Sequence, residues 1–206
     1  AHKAILDSRL DYYKKYRLID ILDTAIFRLC QGQFMDVSFE ERQDVEIEEY
    51  LQMVQGKTCS MFEASLEMGI VVSEREDLAG QFVSIARNLG LGFQILDDIL
   101  GLWGDPKVTG KPVGSDLRQN KKTYPIILGL KERPEAREVV LSKDKTEKEI
   151  EYIIKLFESS GIIDLCKEKV GSYLSKAREM IESLPLDKED IGLLMELTYY
   201  LENREK

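Results

Sequence analysis

The stretch Phe93-Gln94-Ile95-Leu96-Asp97-Asp98 closes a mostly apolar segment with two adjacent carboxylates. Near the C-terminal end of a helix such groups oppose the helix dipole, whose negative end lies there, so nearby cations must compensate them. Lys111, Lys121 and Lys122 come next, in or just after a stretch that also carries Asp105 and Asp116. Carboxylates facing a lysine-bearing loop suit Mg2+ with a phosphorylated ligand, because Mg2+ is commonly held by one or two carboxylates together with substrate phosphates. The competing reading is a solvated helix end with chance charges around it. Gly56-Lys57-Thr58 offers a second phosphate-type group, since Lys57 could hold a phosphate and Thr58 could cap or donate. A P-loop is rejected, because its first glycine would fall at Leu51 and no strand precedes the string. On its own the string reads as a helix break followed by a cap. Gly32-Gln33-Phe34-Met35-Asp36 is a third polar string, which by itself marks a helix end.

The elements that must position these groups read as helices. Ile5, Tyr12, Tyr16, Ile19, Leu22, Ile26 and Leu29 recur at helical spacing and predict one long helix reaching about Cys30. Ser38 with Glu41, Ser73 with Glu76 and Thr146 with Glu149 have capping-box spacing, predicting helices that begin near 40, 74 and 147. From Leu78 to Trp103 the apolar positions are frequent enough for a helix buried on most sides, the expected centre of the fold. It stops at Gly104-Asp105-Pro106, and about fifteen residues of loop composition come after it, a length that inside a compact domain is more often functional than idle. A short apolar helix (126–130) and amphipathic helices over 147–159, 162–183 and 188–203 complete an all-α reading of a single domain, 1–206.

Composition excludes several classes. With 38 acidic against 29 basic residues in 206, and a formal charge of -9, there is no basic excess for nucleic acid or anionic membrane. No apolar run approaches the roughly 20 residues that span a bilayer, so the expectation is a soluble, cytoplasmic protein without nucleic-acid partners. Three widely spaced cysteines match neither a disulfide framework nor a zinc site and read as buried thiols. The single histidine, His2, all but removes His-based catalysis. The chain starts at Ala1 without an initiator Met, as a processed protein or a piece of a longer one would.

Taken together, the strings resemble the trans-isoprenyl diphosphate synthases, or polyprenyl synthetases. Gly92 to Asp105, the loop Thr109 to Leu117 and Lys121-Lys122-Thr123 are similar to that family's second aspartate-rich motif and the loop after it. Gly32-Gln33 with Asp36 and Lys57-Thr58 stand upstream in family order, and the ending through Arg204 and Lys206 resembles its C-terminal Arg-x-Lys. The resemblance implies an isoprenoid synthase-type helical bundle around a cavity. It also implies head-to-tail condensation of an allylic diphosphate with isopentenyl diphosphate by a short-chain prenyltransferase, such as a farnesyl or geranylgeranyl diphosphate synthase. Mg2+ would be held by Asp97 and Asp98, with Asp116 orienting the lysine loop or a metal-bound water. Lys57, Lys111, Lys121 and Arg204 would contact diphosphate, Thr58 and Gln94 would place oxygen dipoles near the allylic cation, and Gln33, Asp36 and Phe93 would line the cavity. A homodimer, or a heteromer with a related synthase subunit, is also implied.

Two departures accompany the resemblance. The family's second motif is often D-D-x-x-D, and its fifth position here is Gly101. Its first aspartate-rich motif and following Arg pair should precede Gly32-Gln33, yet Asp97-Asp98 is the only Asp pair and no Arg-Arg occurs. The leading expectation is the C-terminal two-thirds of a prenyltransferase. A non-catalytic partner subunit is the alternative from another class, and a terpene cyclase or head-to-head synthase is disfavoured by the Thr109 to Lys122 loop.

Overall fold

The computed structural model describes residues 1–203, and among them every regular element is helical. A short α1 (His2–Leu6) precedes α2 (Tyr12–Glu40), which starts where the Asp11 side chain accepts the Lys14 amide. Helix α3 (Ile47–Val54) runs through a π-helical turn, Gln55–Cys59, into α4 (Ser60–Val72) without a break. A 3₁₀ turn leads to α5 (Ala79–Trp103). The next segment holds only two single-turn helices, α6 (Pro106–Thr109) and α7 (Ser115–Arg118). Then come α8 (Tyr124–Glu132), α9 (Arg137–Leu141), α10 (Glu147–Ser159), α11 (Ile162–Glu182) and α12 (Lys188–Glu202).

Helix α5 is the centre, as its apolar density predicts. Ile85, Leu89, Ile95, Ile99 and Leu102 are at most 3% exposed, with α4 and the π-turn against one side and α11 against another. Each such aliphatic side chain contributes roughly 1.5–3 kcal/mol by leaving water. The core continues through Ile126 of α8, Ile153 and Phe157 of α10, and Leu174 of α11. A smaller cluster joins α1, α2 and α4 through Ile5, Leu18, Ile21, Leu22 and Val71. No described helix is long and apolar enough to cross a membrane.

Several boundaries differ from the periodicity. The first helix breaks at 7–11 and then continues past Cys30 to Glu40, so Gly32 to Asp36 lies inside a helix and not at its end. Of the three capping-box pairs only Thr146 with Glu149 forms one, with the Thr146 amide donating to Glu149 Oε2 at 2.7 Å. Ser38 and Ser73 bond back to the carbonyls of Met35 and Ile70 at helix C-terminal ends, and the real box between them is Glu46 with Glu49. Cys59 and Cys166 are buried, and burial pushes both thiols up to about 12, whereas Cys30 is exposed.

Candidate active site

One cavity of about 390 Å³ gathers most of the candidate residues. Its walls come from α2 (Asp36), α3 (Tyr50), the π-turn (Lys57), the last turns of α5 (Gln94, Asp97, Asp98) and the loop after α5 (Lys111, Asp116, Lys121). Positions 93, 97 and 101 of α5 form one stripe and 94 and 98 the neighbouring one, four residues being about one turn. That spacing delivers Asp97 and Gly101 to the cavity together, with Gln94 and Asp98 beside them.

Asp98 is 4% exposed and fully engaged by protein donors. Its Oδ2 accepts the Tyr50 hydroxyl at 2.6 Å and the Tyr124 amide at 3.0 Å, and its Oδ1 accepts Gln94 Nε2 at 3.0 Å. Gln94 Oε1 in turn accepts the Thr58 hydroxyl at 2.6 Å. The result is one polar chain from the π-turn across α5 to α3 and α8. Burial pushes the Asp98 carboxyl up to about 7 against the three donors, which favour its anion.

Asp116 reaches the cavity from α7 and is 5% exposed. Its carboxyl is raised, by burial first and with the Asp97 charge adding, against the pull of Lys121 and Lys111. Lys121 Nζ lies 3.5 Å from Asp116 Oδ1. The absent fifth carboxylate of the α5 motif explains how Asp116 fits. A Cβ on residue 101 would lie 2.1 Å from Asp116 Oδ2, so the loop carboxylate occupies the space that a side chain there would fill. Across the cavity Lys57 Nζ donates to Asp36 Oδ2 at 2.5 Å.

Some expectations from sequence are not met by this geometry. Gln33 is exposed and lies outside the cavity lining, although its neighbour Asp36 is part of it. Phe93 sits one turn below Asp97 and packs against Phe62, with ring centroids 5.4 Å apart, so it belongs to the helix interface under the cavity. Gly56-Lys57-Thr58 is a continuous π-turn, not a break and cap. Arg204 lies outside the described residues. Tyr50 and the Tyr124 amide escape sequence reasoning, because a tyrosine in a glutamate-rich helix and a backbone donor carry no local signal of a distant carboxylate.

A sequence model described as polyprenyl synthetase matches residues 3–157. The chain belongs to the polyprenyl synthetase family. Among its curated relatives, the geranylfarnesyl diphosphate synthase of Aeropyrum pernix is 37% identical, aligned over 100% of this chain and 67% of its own length. The geranylgeranyl diphosphate synthase of Saccharolobus solfataricus is 34% identical over 87% of this chain and 56% of its own. The solved geranylgeranyl pyrophosphate synthetase of Pyrococcus horikoshii superposes with a TM-score of 0.87 at 32% identity, covering 98% of this chain and 63% of that structure. This polyprenyl synthetase chain therefore spans between about half and two thirds of the length of these relatives.

Proposed function

We propose that the cavity binds an allylic diphosphate with Mg2+, and that the chain is the part of a short-chain trans-prenyltransferase in which that diphosphate ionises before head-to-tail attack by isopentenyl diphosphate. The observation that carries this reading is the convergence of Lys57, Lys111 and Lys121 with the carboxylates Asp97 and Asp116 on one cavity. Among the described residues no group of three or more His, Cys, Asp or Glu forms a metal cage. Mg2+ takes one or two carboxylates and fills its remaining positions with phosphate oxygens and water. Asp97 and Asp116 are the residues that would hold it, and when bound it would neutralise charge on the departing diphosphate.

The protein groups divide the remaining work. Lys57, Lys111 and Lys121 receive phosphate oxygens and stabilise the negative charge that develops as the C–O bond breaks. Asp36 holds the Lys57 ammonium in the cavity wall. The Gln94 oxygen, in the cavity wall, stabilises positive charge on the allylic carbon; Thr58, outside the lining, donates its hydroxyl to that oxygen, and Asp98 holds the Gln94 amide in orientation. With both its oxygens accepting from protein donors, Asp98 anchors this chain of hydrogen bonds beside Asp97. The names of the relatives, geranylfarnesyl and geranylgeranyl diphosphate synthases, support the substrate class.

A second reading is a partner subunit that works only within a heteromer. Incubating the purified chain with Mg2+, an allylic diphosphate and labelled isopentenyl diphosphate tests both. A labelled, longer diphosphate from the chain alone supports the prenyltransferase. No turnover by the chain alone, together with a stable heteromer with a related synthase, supports the subunit reading, and a cyclic hydrocarbon would contradict both.

A further inference from the structure

The groups assigned to diphosphate and cation stabilisation on the α4 side sit on a π-turn, a rare conformation that recurs at functional sites, and this one is supported from outside its own helix. That support comes from one stripe of α2, at positions 28, 32 and 36, each one turn apart. Asp36 takes the Lys57 ammonium. At Gly32 a Cβ would lie 2.2 Å from the Lys57 backbone nitrogen, so only glycine lets α2 rest directly on the turn. Arg28 then uses its guanidinium fork in two directions. Nη1 donates to Glu63 Oε2 at 2.5 Å, and Nη2 donates to the Gln55 carbonyl, the first of the π-turn, at 3.3 Å. Glu63 cannot move away, because it is 3% exposed and Arg87 Nε holds its other oxygen at 2.8 Å. Ser60 Oγ takes the next carbonyl, that of Gly56, at 2.6 Å.

We propose that Arg28, fixed by Glu63, is a positioning residue that sets the π-turn and thereby the aim of Lys57 and Thr58. Neither Arg28 nor Glu63 lines the cavity, so any effect on ligand must pass through the turn. The proposal rests on the diphosphate reading only for its second readout. The discriminating variant is Arg28→Lys, because an ammonium keeps the ion pair with Glu63 but lacks the planar fork that spans Glu63 and Gln55. Hydrogen exchange of the full chain, with mass spectrometry on peptides covering 54–60, reads the turn directly. Arg28→Lys and Arg28→Met should speed exchange there by about tenfold while 147–159 stays unchanged. In calorimetry with Mg2+ and inorganic pyrophosphate, Arg28→Lys should bind about tenfold more weakly at a temperature where circular dichroism shows it folded. Should Arg28→Met fail to fold, Arg28→Lys alone carries the test. Wild-type exchange over 54–60 in the folded variants would overturn the proposal, as would faster exchange with unchanged affinity, which would make Arg28 a strut and no more. If the wild type itself binds no Mg2+-pyrophosphate, the diphosphate reading fails while the exchange data still decide whether Arg28 sets the turn.

Discussion

Asp98 shows how far a residue's role can depart from its place in a motif. Adjacent to Asp97 in sequence, it faces Tyr50, Gln94 and the Tyr124 amide, while Asp97 shares its cavity wall with Gly101 and the loop carboxylate. A folded-state value near 7 lies above the ordinary carboxylate range, so the folded chain holds this proton more tightly than the unfolded chain. Its contribution to stability is complete below the unfolded value and is lost as pH rises through 7. Without ligand, the thermal midpoint should therefore fall on the order of 5 °C between pH 5 and pH 8. Asp98→Asn should flatten that slope while lowering stability overall, since its amide nitrogen would meet an existing donor. A wild-type midpoint that rises over this interval would refute the assignment. The Asp pair and the loop lysines were legible from residue type and spacing. Which aspartate turns inward was not, because that depends on Tyr50 and Tyr124, which are 48 and 26 residues away in sequence.

At the level of helices, legibility tracked how local the cause was. Helix α10 begins where Thr146 and Glu149 satisfy each other's backbone donors, a bond made within four residues, and its predicted span is the one observed. Ser38 and Ser73 have the same spacing to a glutamate but spend their hydroxyls on carbonyls behind them, so an identical sequence signal marks helix ends. The π-turn was invisible because it depends on α2 pressing against it. Two glycines separate this tertiary cause from a local one. Gly32→Ala would force a Cβ into the Lys57 backbone and should cost about 1–3 kcal/mol in chemical denaturation, together with weaker pyrophosphate binding. Gly171→Ala, in mid-α11 with nothing within 4 Å, should instead stabilise by about 0.5–1 kcal/mol. Equal effects from the two substitutions would contradict the close α2 contact.

For the whole molecule, the net charge of -9 repels a diphosphate, and only the local lysines reverse that field. Pyrophosphate affinity should therefore weaken by about tenfold or less between low and moderate salt, because the lysines act at short range in a partly enclosed cavity. A salt-independent affinity would argue against them. The fold was legible as all-α from the helical spacing of its apolar residues, whereas a cavity was implied only by the family resemblance. The relatives extend well beyond the length of this chain, so the decisive property is what it binds alone. Calorimetric titration of the purified chain with inorganic pyrophosphate, with and without Mg2+, reads that property most directly. Binding should depend on Mg2+, and Lys57→Ala and Asp97→Ala should each abolish it or weaken it at least about a hundredfold. Pyrophosphate binding by Asp97→Ala equal to that of the wild type, or none by the wild type at any Mg2+ concentration, would contradict a Mg2+-diphosphate site in this cavity.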